Sequence, residues 1–159
     1  MKNETIFYFN TTWRTRYGDE EGSEIIVSAD FSNPGAWPFT VKRYAIEYDD
    51  SYNETKTEEL SARISKGAFD KIKLAISKNR SIRYDSDEID CNVMDGSNDE
   101  FYFSCDEYSR TLGGCSVLSI GRYEAEECAP NKRSIAYAIH TVYEEILNIL
   151  KSEGVDVWA

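Results

Sequence analysis

Between Arg83 and Arg110 the chain carries no lysine and no arginine, although Asp85, Asp87, Glu88, Asp90, Asp95, Asp99, Glu100, Asp106 and Glu107 all fall inside that interval. A surface built from such a block repels phosphate backbones and anionic headgroups, so direct binding to nucleic acid or to a membrane is disfavoured. The deficit of basic residues is general: 18 Lys and Arg against 29 Asp and Glu give a formal charge of −11. Long apolar runs are missing too. No stretch approaches the roughly 18 residues that argue for a membrane-spanning helix. Near the N-terminus, Asn10, Thr11 and Arg14 interrupt any signal-peptide core. The expectation is a cytoplasmic protein.

Histidine occurs once, at His140, and the four cysteines, Cys91, Cys105, Cys115 and Cys128, form no C-x-x-C pair. In a reducing compartment they are expected as reduced, mostly buried thiols. Four Asn-x-Ser/Thr triplets, at Asn3, Asn10, Asn53 and Asn79, match a glycosylation motif that needs a secretory route, of which the sequence shows no sign. The segment Asp95-Gly96-Ser97-Asn98-Asp99, with Asp106 at the twelfth place, echoes a calcium loop. Glu100 stands where such a loop needs glycine, and the closing bidentate glutamate is missing. No metal and no cofactor are expected. Cys115 follows Gly113-Gly114, but no nucleophile elbow, phosphate loop or Cys/His signature surrounds it, and His140 has no matched nucleophile. No catalytic residue is assigned.

What the chain does hold is apolar pattern. Ile6 to Phe9 and Trp13 to Tyr17 read as one long strand interrupted near Asn10, and Glu24 to Phe31 as its hairpin partner across the turn Gly18 to Gly22. Asn33-Pro34-Gly35-Ala36-Trp37-Pro38 breaks any ladder. Val41 to Tyr48 alternates as a third strand whose aromatic face carries Lys42, Tyr44, Ile46 and Tyr48. Thr55-Lys56-Thr57-Glu58 has the spacing of a capping box, and Leu60, Ile64, Ala68, Ile72 and Ile76 follow at helical spacing. Ser81 to Tyr84 reads as a brief extended segment and Ile89 to Met94 as a strand. Phe101-Tyr102-Phe103 and Cys115 to Ile120 read as the two strands of a hairpin. Arg122 to Ala129 is irregular, Pro130 suits the first turn of a helix, and Ile135, Ile139, Val142, Tyr143, Ile146 and Leu150 form an amphipathic stripe ending at Gly154. The tail Val155 to Trp158 is apolar enough to dock. The order predicts one α+β domain over residues 1–159, with an antiparallel or mixed sheet of about five to six strands and two main helices on one face.

Asp95-Gly96, the aromatic run Phe101-Tyr102-Phe103, Gly113-Gly114 and the closing helix together resemble small bacterial α+β domains. In these an amphipathic helix is followed by a D-G turn, an aromatic strand, a glycine-containing strand and a final helix. Some of these domains resemble immunity proteins, which neutralise a toxin by binding it. The resemblance covers about the last 70 residues and implies no catalytic residue. The acidic block, the surplus of aromatics and the lack of a catalytic set point to a non-enzymatic binding protein of immunity or inhibitor type, with a basic protein partner, a toxin being one such. Asp87, Glu88, Asp90, Asp99 and Glu100 are the candidate contact residues. Trp37, in its Pro-Gly loop, is a candidate anchor because tryptophan and tyrosine are enriched at interface hot spots. Two alternatives stand beside this reading: a small-molecule pocket between sheet and helices using Cys115, His140 or block carboxylates, and a structural subunit of a homo-oligomer joined through an open sheet edge.

Overall fold

Two Phe-Tyr-Phe triplets, distant in sequence, lie side by side: Phe7 is opposite Phe103, Tyr8 opposite Tyr102 and Phe9 opposite Phe101. Because side chains alternate along a strand, all four phenylalanines turn to one face of the sheet and both tyrosines to the other. The computed structural model describes residues 3–15, 18–79, 82, 88–89, 96–127 and 134–159. Its elements are β1 (Glu4–Arg14), β2 (Glu20–Ala29), β3 (Phe39–Tyr48), β4 (Glu54–Arg63), α1 (Lys66–Lys78), β5 (Glu88–Ile89), β6 (Asn98–Ser104), β7 (Ser109–Cys115), α2 (Val117–Glu127) and α3 (Ile135–Ser152). The strand order is β4-β3-β2-β1-β6-β7-β5. The first six strands are antiparallel neighbours, and the two-residue β5 adds a parallel edge beside β7.

The phenylalanine face carries the core. Phe9 and Phe101 stack at 4.7 Å, Phe7 and Phe103 lie 5.7 Å apart, and Tyr143 of α3 meets Phe9 edge-on at 5.3 Å. Phe69 of α1 packs at 4.9 Å on Phe39, which shares that face with Ile25, Val27 and Val41. Each fully buried phenylalanine contributes roughly 1.5–3 kcal/mol relative to an exposed one. The stripe predicted for α3 is the buried stripe: Ile135, Ile139, Val142, Tyr143, Ile146 and Leu150 all face inward. Its start is capped by the Ser134 hydroxyl, which accepts from Tyr137 N–H, and its end passes into Gly154 at φ +80°. The tail docks on the core as expected. Val155 and Val157 are buried, the Trp158 indole N–H donates to the Tyr143 hydroxyl at 2.6 Å, and Arg43 donates to the Val157 carbonyl.

Four expectations needed correction. The α+β class holds, but the described residues form three helices, not two. Residues predicted as the second hairpin strand divide at Ser116, whose φ of +50° turns the chain, so β7 ends at Cys115 and Val117 opens α2. The capping box at Thr55 to Glu58 lies within β4, because β3 offers it a ladder from Thr40 to Tyr48. The helix starts later, at Ser65, whose hydroxyl accepts from Ala68 N–H at 3.0 Å. β1 runs through Asn10 unbroken, since Asn10 pairs with Glu24 on one side and Glu100 on the other. The segments expected at Ser81–Tyr84 and Ile89–Met94, and Pro130, lie largely or wholly outside the described residues; of these, Ile82 is buried in the core and Ile89 belongs to β5. Among the described residues no helix is long and apolar enough to cross a membrane.

Candidate functional site

The helices cover one face of the sheet, and among the described residues no helix packs on the other. Strand register sets what that second face displays. One row across it reads Lys42, Ile26, Tyr8, Tyr102 and Thr111; the next reads Glu58, Tyr44, Glu24, Asn10 and Glu100. Tyr8, Tyr44 and Tyr102 are half-buried, lying partly along the sheet with part of each side chain open to solvent. Burial raises the Tyr8 hydroxyl above its ordinary pKa, and the nearby Glu24 carboxylate adds to the effect. Both influences keep it a neutral hydrogen-bond donor through the physiological range.

Beneath this platform sits Glu24, 4% exposed. Lys56 reaches across from the edge strand and places its Nζ 2.7 Å from Glu24 Oε2, although no donor is aligned on that oxygen as a hydrogen bond. The contact is best described as a close ion pair. It holds the Lys56 ammonium well above its usual pKa. Lys42 and Glu58 form a looser pair at 3.7 Å on the same face. Glu100 is exposed there and makes no ion pair among the described residues. At its far end the face runs into a cleft of about 180 Å³, where Asp19, Glu20, Asp49 and Asp50 meet Arg14, Tyr48 and Tyr52.

The candidate contact residues are scattered. Glu100 lies on the tyrosine face. Asp99, its neighbour, points the opposite way and is 5% exposed. Its carboxylate accepts from Thr11 Oγ1 and Ser97 Oγ, each at 2.8 Å, and receives the Leu118 N–H at 3.5 Å where α2 begins. Asp99 therefore organises the interior. Glu88 belongs to β5 at the far edge, and Asp87 and Asp90 lie outside the described residues. Trp37 is 48% exposed, donates its indole N–H to the Ile64 carbonyl at 2.8 Å and packs on Phe39, so it sits on the helix side, away from Glu100. Asp106, from the same acidic block, is tied to Lys73 of α1 at 2.6 Å. The block that looks continuous in sequence does not form one surface among the described residues.

Tyr8, Tyr44 and Ile26 were not singled out as contact residues from the sequence. The signal was the alternation itself: in Phe7-Tyr8-Phe9 and Phe101-Tyr102-Phe103 the central tyrosine must face away from whatever buries the phenylalanines. Cys115 and His140, the actors of the enzyme alternative, have different neighbours among the described residues. Cys115 Sγ lies 3.5 Å from Asn98 Oδ1, and His140 Nε2 lies 3.7 Å from Glu144 Oε1. Neither lines the cleft above or a second one of about 240 Å³ formed by Asp70, Lys73, Leu74, Ser77, Cys105, Asp106 and Glu107. No group of three or more His, Cys, Asp or Glu among the described residues is placed to hold a metal ion. Compared with known proteins, the chain matches no family model and no curated protein.

Proposed function

We propose that this is a non-enzymatic binding protein of immunity or inhibitor type, which docks a basic protein partner on the tyrosine face of its sheet. The observation that supports this reading is the pairing of Tyr8 with Tyr102 beside the exposed carboxylate of Glu100, on a face that no described helix covers. Tyrosines lying along strands supply rigid, amphipathic contact area at little entropic cost, and a carboxylate without a counter-ion favours a cationic residue opposite. The four carboxylates of the cleft at the end of the face add to the same field. With a formal charge of −11, the molecule would attract a basic partner before contact.

The experiment is affinity capture at low salt with the full chain, comparing wild type with a Tyr8→Ser/Tyr102→Ser variant, Glu100→Lys and Trp37→Ala. Circular dichroism verifies that each variant is folded. The reading expects a basic protein retained by wild type and by Trp37→Ala, and lost or at least tenfold weaker with the other two variants. Retention that ignores Tyr8, Tyr102 and Glu100, or no basic protein retained at all, would overturn it.

A further inference from the structure

We infer that β4 is a self-recognition edge, pairing antiparallel with β4 of a second copy of this chain. β4 stands at one end of the strand order, so its outer backbone groups have no partner strand among the described residues. It is ten residues long, and only Leu60 and Ala62 are half-buried. Free edges of this length are templates for another strand.

The register that fits is set by a bulge. Arg43 is opposite Leu60 and Tyr44 opposite Glu58, which leaves Glu59 as an extra residue in β4. On one arm Glu54, Lys56 and Glu58 therefore face the tyrosine side, and on the other Ser61 and Arg63 do. Thr55, Thr57, Leu60 and Ala62 face the helix side. A two-fold axis between Glu58 and Glu59 then places Glu54 opposite Arg63 of the second copy, Lys56 opposite its Ser61, Thr55 opposite its Ala62 and Thr57 opposite its Leu60. Every one of these pairs shares a face. An axis centred on Thr57 instead sets Glu54 against Leu60 on opposite faces.

Charge supports the same register. Arg63 is exposed and has no ion pair among the described residues, and the symmetry sets one Glu54 of the second copy, itself 3.3 Å from Lys56, opposite each Arg63, making two such pairs in the dimer. Glu58 and Glu59, which meet their symmetry mates at the centre, each bring a cation of their own, Lys42 at 3.7 Å and Arg43 at 3.4 Å. The charges that make β4 a poor template for an arbitrary strand thus select a copy of itself. The axis is normal to the sheet, so the two tyrosine faces end up side by side.

Sedimentation equilibrium of the full chain over a range of concentrations tests this. A reversible monomer–dimer equilibrium is expected. Arg63→Glu and Glu54→Arg should each weaken it roughly tenfold, since two attractive pairs become repulsive, and the double exchange should restore it. Hydrogen exchange on the unmodified chain should show β4 amides gaining protection as concentration rises. A monomer at every concentration, a dimer indifferent to both single reversals, or dimerisation without added protection in β4 would overturn the inference.

Discussion

Glu24 and Lys56 carry an imbalance that a single substitution exposes. The Glu24 side chain is almost closed to solvent while that of its partner Lys56 is 44% exposed. Removing the cation strands a buried negative charge, a change that costs about 3–5 kcal/mol when both partners are buried. With Lys56 half in water the expected cost of Lys56→Met is smaller, roughly 1–3 kcal/mol, and Glu24→Gln on that background should recover part of it. Urea denaturation midpoints measure both. The raised Lys56 pKa sets the sign with pH: its contribution is complete below the ordinary lysine value and is lost as pH climbs from there through the folded one. Tyr143 gives a second alkaline signature. Burial pushes its hydroxyl up to about 12, against the opposing effect of the Trp158 indole N–H. The unfolded chain releases that proton near the normal tyrosine value, so stability should fall by about 2–3 kcal/mol between pH 10 and 12, read as a falling denaturation midpoint. The substitution Tyr143→Phe should remove Tyr143's share of that slope and leave what Tyr8 and Lys56 contribute.

At the level of elements, the parts legible in sequence were those whose partners are implied by their own pattern. The α3 stripe needs only an apolar surface to face, and β1 to β3 alternate with turn residues between them. β4 and α2 were misread because what decides them lies elsewhere. Thr55 to Glu58 satisfies a local capping rule, yet β3 supplies a ladder and Glu24 a counter-ion for Lys56, and together these outweigh a cap worth about 1 kcal/mol. Val117 to Ile120 has strand-like composition, but the Asp99 carboxylate, brought by β6, meets the first turn of α2, and Gly121 lets that helix lie close against α3. A β-carbon at Gly121 would stand 2.2 Å from the Ala136 carbonyl oxygen and 2.6 Å from His140 Cβ. Gly121→Ala is therefore expected to destabilise by about 3 kcal/mol, because the obstacle is backbone rather than a flexible side chain. A guanidinium chloride titration that finds Gly121→Ala within about 0.5 kcal/mol of wild type would show that α2 shifts freely on α3.

For the whole molecule, net charge was readable at once and its placement was not. Asp99 turned inward and Glu100 to the opposite face, because consecutive strand residues point to opposite sides, and Asp106, in the turn after β6, went to Lys73. What remains on the tyrosine face, among the described residues, is a mixed surface that holds paired charges, the carboxylate of Glu100 and the guanidinium of Arg63. Steering of a basic partner should then come from the overall field more than from local contacts. Its association rate should fall several-fold between low and physiological salt while dissociation changes little, a split that stopped-flow mixing resolves.

The matched Phe-Tyr-Phe triplets also bear on how the chain reaches this state. β1 to β4 form a meander of neighbouring hairpins whose ladders involve no later strand, whereas the other flank of β1 is filled by β6 from much further along. Until that stretch has left the ribosome, Phe7 and Phe9 sit beside an unfilled edge, the kind of surface on which nascent chains stick to one another. Slow synthesis should thus prolong that exposure, and a chaperone's most useful service would be to shield the first strand while it waits.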